Sequence, residues 1–223
     1  MATQFKRITI ISYSLCLIVI SSLMTVLCYH IFVFNTFATD HSQTQAFREV
    51  SAEHIAQSPI KDARSIIEVM SYGCHYCAAN EENLAEFSRT LPPGSSFTAI
   101  HIASEGSGLA AYAPIFATLE EMGIEKNVRD SAYNAVITRN VDLSDEKALN
   151  TWLVKNNIDV DKFNTLRQSD AVKNRLSTMA AITAHYDINA TPMFIINKRY
   201  VVAQDSEFPQ FAQRMLQLLK EDK

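Results

Sequence analysis

Between Ile8 and Phe34 the chain has no Lys, Arg, Asp or Glu. Glycine and proline are scarce throughout, at 5 and 6 in 223 residues, which excludes collagenous and Gly/Pro-rich low-complexity classes. A surplus of positive charge is also missing. The 20 Lys and Arg face 24 Asp and Glu, leaving −4, which argues against a generally basic nucleic-acid binder. Of four cysteines, Cys16 and Cys28 lie in the charge-free run, so only Cys74 and Cys77 belong to the body and none remains for a structural disulfide. At 48% hydrophobic residues the chain is not compositionally disordered and can bury a sizeable core.

The charge-free run is 27 residues long. A spanning helix needs about 20 apolar residues, whereas the hydrophobic region of a signal peptide is usually about 7–15. Residues 8–34 are therefore expected to be an uncleaved transmembrane anchor. The competing reading is a cleaved signal, since Thr36-Phe37-Ala38 loosely resembles a small-x-small site. Lys6 and Arg7 precede the run and should keep residues 1–7 cytoplasmic. The body, with 18 basic against 24 acidic residues, then faces the far side of an inner membrane, the periplasm in a Gram-negative cell.

The spacing Cys74-His75-Tyr76-Cys77 admits zinc, redox chemistry or two inert thiols. Structural zinc usually takes four ligands, and the body histidines His41, His54, His101 and His185 show no paired spacing, so neither metal nor cofactor is expected. A CxxC pair in an exported body reads as redox-active. Ser65–Met70 is a short β-prone run and Gly73 permits a sharp turn. From His75 to about Arg89 the pattern is helical, with Cys77, Leu84 and Phe87 on one side. The pair thus opens a helix, whose positive end stabilises a thiolate on Cys74. A stabilised thiolate leaves easily and favours the dithiol, so the disulfide is readily passed on. Cys77, one turn inward, is the expected resolving thiol. His75 adds positive charge when protonated, or is simply an exposed residue at the helix start; Tyr76 supplies surface and a hydroxyl.

Residues 35–59 read as a polar stalk. A second strand is expected over Phe97–Ile102. Helices follow over Leu109–Met122, over Ser131–Thr138, after Ser144 as N-cap, and along Val172, Leu176, Met179 and Tyr186. Met193–Ile196 and Tyr200–Val202 flank Asn197-Lys198-Arg199 as a hairpin. The chain ends in an amphipathic helix carrying Phe208, Phe211, Met215, Leu218 and Leu219 on one face. There is no internal repeat.

Two segments, Glu68-Val69-Met70-Ser71-Tyr72-Gly73-Cys74-His75-Tyr76-Cys77 and Thr191-Pro192-Met193-Phe194-Ile195-Ile196-Asn197-Lys198, carry a resemblance together with the helical block between them and the terminal helix. From Ile60 to Leu219 the chain resembles the DsbA-like thiol:disulfide oxidoreductases. The resemblance implies an α/β thioredoxin fold in two parts, residues 60–103 and 187–223, with a helical domain inserted at 104–186. It implies an exposed nucleophilic Cys74, a buried Cys77, a cis-proline at Pro192, and a Thr191 that presents backbone polar groups to substrate. Glu68 is similar to a buried acid that moves protons at the inner thiol; a solvent-facing strand carboxylate is the plainer alternative. Exported cysteine-containing proteins and a DsbB-type membrane oxidase are the implied partners. His75 stands where oxidant members usually have Pro, Tyr76 and Thr191 also occur in isomerase-type relatives, and the anchor is a departure. Disulfide donation is the first expectation. A membrane-tethered reductase or isomerase, and a redox-inactive peptide-binding chaperone or assembly factor, are the alternatives.

Overall fold

Strand β2 (Ser65–Met70) is buried at all six positions, as a strand covered on both faces must be. The computed structural model describes residue 13 and residues 15–27, 47–104 and 106–221. It divides into two units, Met1–Gln45 and Ala46–Lys223. In the first, residues 15–27 form helix α1, whose apolar side chains are exposed: Leu15, Ile18, Ile20, Leu23 and Met24 at 59–66%. Among the described residues no helix is long and apolar enough to cross a membrane. The rest of the expected anchor, residues 8–12, 14 and 28–34, lies outside the described residues, as do Thr36-Phe37-Ala38.

The second unit is built on a five-stranded sheet of order β1-β5-β4-β2-β3. β2 pairs in parallel with β3 (Ser96–His101) and antiparallel with β4 (Met193–Ile196). β4 joins β5 (Tyr200–Ala203) through Asn197 and Lys198, both at positive φ (52° and 61°), the pattern of a type I′ hairpin turn. Asn197 also donates to the carbonyls of Leu218 and Leu219 at 3.2 and 3.0 Å, fixing the turn to the last helix.

β1 (Phe47–Glu49) pairs antiparallel with β5 and is followed by helix α2 (Ala52–Ala56), capped by Ser51. Both fall in the expected stalk. The stalk reading fails over residues 47–56 because the stretch is short and mostly exposed, so no apolar period marked it.

One sheet face carries Ile66, Phe194, Ile196 and Val202 beneath α3 (His75–Arg89) and α9 (Phe208–Lys220), which contribute Leu84, Phe87, Phe211, Met215, Leu218 and Leu219. Each such side chain contributes about 1.5–3 kcal/mol on burial. The other face carries Ile67, Val69, Ile195 and Val201 against Ile182, Tyr186 and Ile188.

Between β3 and β4 lie α4 (Ala113–Glu121), α5 (Glu125–Tyr133), α6 (Glu146–Lys155), α7 (Val160–Arg167) and α8 (Asp170–His185). Their core, centred on Phe116, Leu119, Leu153 and Phe163, is continuous with Met70, Tyr72, Cys74 and Cys77. The cysteine pair and the insertion thus share one apolar core.

Local boundaries differ from the sequence expectation in identifiable ways. Leu109–Met122 opens as a 3₁₀ turn, Gly108–Ala110, before α4, because Pro114 suits the first turn of a helix and not its middle. Ser131–Thr138 is split between the end of α5 and a π-helical turn, Asn134–Thr138. The N-cap of α6 is Asp145, which accepts from Ala148 N–H at 2.9 Å; Ser144 instead bonds Asp142. Helix α7, capped by Asp159, was not anticipated, having only Phe163 fully buried.

Candidate active site

The turn from β2 into α3 is held by Ser71. Its carbonyl accepts from Cys74 N–H at 2.9 Å, and its hydroxyl donates to Leu109 carbonyl at 2.8 Å. Gly73 is not demanded by this turn: it lacks a positive φ, and an added Cβ would meet nothing closer than 3.8 Å.

Cys74 is the N-cap of α3, and Cys74 and Cys77 form a disulfide with their Cα atoms 5.2 Å apart. The backbone N–H of Cys77 donates to Cys74 Sγ at 3.1 Å. The sulfur thus takes the place a Ser or Asp oxygen holds in an ordinary cap, where free N–H groups and the helix dipole favour negative charge. Cys74 is 6% exposed and Cys77 fully buried. Cys74, expected to be exposed, is therefore buried in the oxidised form, as a member of the same apolar cluster as the inserted helices.

His75 is exposed. Tyr76, 75% exposed, lines a groove of about 570 Å³ with Thr191, Pro192, Met193, Ala203 and Gln204. The Thr191–Pro192 peptide is cis. The structure thus brings Tyr76, Thr191 and Pro192 together in one groove.

Glu68 is fully buried, not solvent-facing, and neither carboxyl oxygen meets a hydrogen-bond partner among the described residues. Burial, reinforced by the charge of Glu81 and partly opposed by Arg129, pushes its pKa up to about 8. It lines a cavity of about 340 Å³ with Glu81, Leu84, Arg89, Lys126 and Arg129. Cys77, Glu81 and Leu84 fall at helical spacing on one face of α3, and two of them, Glu81 and Leu84, line the cavity with Glu68.

Two groups of residues escaped the sequence reading. His101, fully buried, accepts from Tyr72 N–H at Nε2 (3.2 Å) and, as the Nδ1–H tautomer, donates to Ile102 carbonyl (2.9 Å). Burial lowers its pKa to about 4. The second group is Tyr72, Glu81, Glu125 and Arg129. Tyr72 OH donates to Glu125 at 2.9 Å, and Arg129 bonds both Glu125 oxygens and Glu81. The i,i+4 spacing of Glu125 and Arg129, and of Cys77 and Glu81, was the available signal. Among the described residues no group of His, Cys, Asp or Glu is placed to hold a metal.

Comparison with known proteins agrees with this geometry. Residues 95–216, more than half of the chain, match the DSBA-like thioredoxin domain, a span that begins after the cysteine pair. The thiol:disulfide interchange protein DsbA of Pseudomonas aeruginosa is 24% identical over 163 residues, covering 73% of this chain and 76% of that one. DsbA of Pseudomonas syringae pv. tomato is 27% identical over 135 residues, covering 60% and 63%. The crystal structure of P. aeruginosa DsbA superposes with a TM-score of 0.61 at 23% identity, covering 71% of this chain and 81% of that one. That of Klebsiella pneumoniae DsbA gives 0.62 at 18%, covering 78% and 92%. The chain belongs to the DSBA-like thioredoxin domain family and is a DsbA-like thiol:disulfide oxidoreductase.

Proposed function

We propose that this oxidoreductase donates the Cys74–Cys77 disulfide to exported cysteine-containing proteins while tethered to the inner membrane by residues 8–34. A substrate thiolate attacks Cys74 Sγ, the S–S bond breaks, and Cys77 leaves with the electron pair and takes a proton. A second substrate thiolate then attacks the mixed disulfide and Cys74 leaves as a thiolate. The substrate is oxidised by two electrons and the pair is reduced to the dithiol. A DsbB-type membrane oxidase would restore it.

The observation that carries this reading is the Cys77 N–H at 3.1 Å from Cys74 Sγ at the mouth of α3, since the same donor and dipole stabilise Cys74 as leaving group. In this reading Glu68 relays the proton at Cys77. Thr191 and Pro192 receive the substrate backbone in the groove, His75 adds charge beside the pair, and Tyr76 adds surface. The exposed apolar side chains of α1 support the tether.

Oxidised protein should convert a reduced dithiol peptide to its disulfide stoichiometrically, and Cys74→Ala should abolish this; Cys77→Ala, which cannot form the pair, should react with oxidised glutathione, release one glutathione thiolate and stop at a Cys74–glutathione mixed disulfide. Thiol trapping in cells should find the pair mostly oxidised. Because His75 replaces the proline usual in oxidant members, a mostly reduced pair would give first place to the reductase or isomerase reading. Carbonate-washed membranes should retain the full chain, and a soluble mature form starting near Thr39 would exclude the tether.

A further inference from the structure

Glu68 has unusual surroundings. Its in-register neighbours on the flanking strands are Ala99 and Phe194, so the sheet brings it no charge. Among the described residues, charged and titratable groups reach its cavity from two helices: Glu81 and Arg89 from α3, and Lys126 and Arg129, backed by Glu125 and Tyr133, from α5. Arg89 and Lys126 are exposed, where water screens them. Arg129 is buried.

Arg129 also bridges the two halves of the fold. One side of its guanidinium grips Glu125, which receives Tyr72 OH from the turn two residues before Cys74; the other bonds Glu81, one turn beyond Cys77, at 2.9 Å. A single side chain of the insertion therefore holds the segments on both sides of the pair.

We propose that Arg129 is a positioning residue for the redox reaction: from the inserted helical unit it clamps both flanks of the cysteine pair and sets the proton occupancy of Glu68. This rests on the role given to Glu68 above. A merely structural ion pair behaves differently. Breaking a packing contact admits water, and water moves a buried carboxyl toward its ordinary range near 4.5 whichever partner is lost. Electrostatic control makes the two partners act in opposite directions. Loss of the Arg129 charge raises the Glu68 midpoint and loss of the Glu81 charge lowers it.

The experiment is a carboxyl ¹³C NMR titration of the oxidised protein, with the Glu68 resonance assigned through Glu68→Gln. Arg129→Met should raise the midpoint by about one unit or more, the effect of a neighbouring charge. Arg129→Lys should stay near wild type, and Glu81→Gln should fall below it. If Arg129→Met does not fold, Arg129→Met/Glu125→Gln removes the charge pair together. It should still move the midpoint up, because Arg129 acts on Glu68 more strongly than Glu125 does. A fall in the midpoint on losing Arg129, or none, overturns the proposal. The glutathione redox equilibrium, followed against pH, should show an inflection that shifts with Arg129→Met and vanishes in Glu68→Gln. If Glu68→Gln leaves the profile unchanged, the role of Glu68 falls and this one with it. If only Arg129→Met leaves it unchanged, the Arg129 proposal alone falls.

Discussion

The side-chain amide of Asn80 donates to Tyr76 carbonyl and to Gln204 Oε1, each at 2.9 Å, and so fastens the first turn of the CxxC helix to the wall of the groove. Gln204 in turn donates to Ser206 carbonyl at 3.3 Å. Among the described residues, neither side chain hydrogen-bonds a sulfur of the pair. Asn80→Ala should therefore leave the intrinsic reactivity of the pair toward glutathione unchanged and weaken engagement of a peptide. A hydrogen bond worth about 1 kcal/mol corresponds to roughly a fivefold rise in KM for the peptide. A fall in glutathione reactivity with KM unchanged would show that Asn80 acts on the thiols instead.

Glu68 should make the protein less stable as pH rises. Its folded pKa, pushed up to about 8, lies above the unfolded value near 4.5. The unfolded chain releases this proton first, so the contribution is fully present below about 4.5 and is lost as pH rises to about 8. Glu68→Gln removes the slope and should be more stable than wild type at pH 7, by an amount on the order of 3 kcal/mol. Urea unfolding of both proteins at pH 5, 7 and 9 measures the difference. An equal pH slope in the variant would place the titrating group elsewhere.

His101 works in the opposite sense. Its folded pKa of about 4 lies below the ordinary 6.5, so the unfolded chain binds the proton first on acidification. The contribution is complete above about pH 6.5 and is lost as pH falls toward 4. Between about 4.5 and 6.5 the His101 and Glu68 slopes cancel, and the decline due to Glu68 should emerge only above about 6.5. His101→Gln, which keeps an acceptor for Tyr72 N–H, should uncover that decline from pH 4.5 upward. A variant whose profile matches wild type below pH 6.5 would refute the assignment.

Much of the fold was legible where a single period dominates. Ser65–Met70 and Met193–Ile196 stand where the β-prone runs placed them, and Phe211, Met215, Leu218 and Leu219 form the buried stripe of α9. The cysteine pair was legible because CxxC is a local pattern. The network around Arg129 was not, since a buried arginine and an exposed one look alike in sequence. Burial is decided by tertiary packing, and Tyr72, Glu81, Glu125 and Arg129 meet only after the insertion folds back. Phe47–Glu49 was hidden for a related reason: a three-residue edge strand has too few residues to show an alternation, and only Tyr200–Val202 gives it a partner.

The split sheet has a consequence for the life of a newly made molecule. Glu68 lies opposite Phe194, and Val69 opposite Met193, across the whole helical insertion. A chain that emerges N-terminus first presents Cys74 and Cys77 long before β4 arrives to complete the sheet beside them. Closing so long a loop is entropically costly until the insertion has folded on its own local contacts and drawn the ends together. During that interval the two cysteines are accessible thiols without their finished surroundings. Each molecule thus carries its two cysteines as ordinary thiols before the fold makes a tuned pair of them.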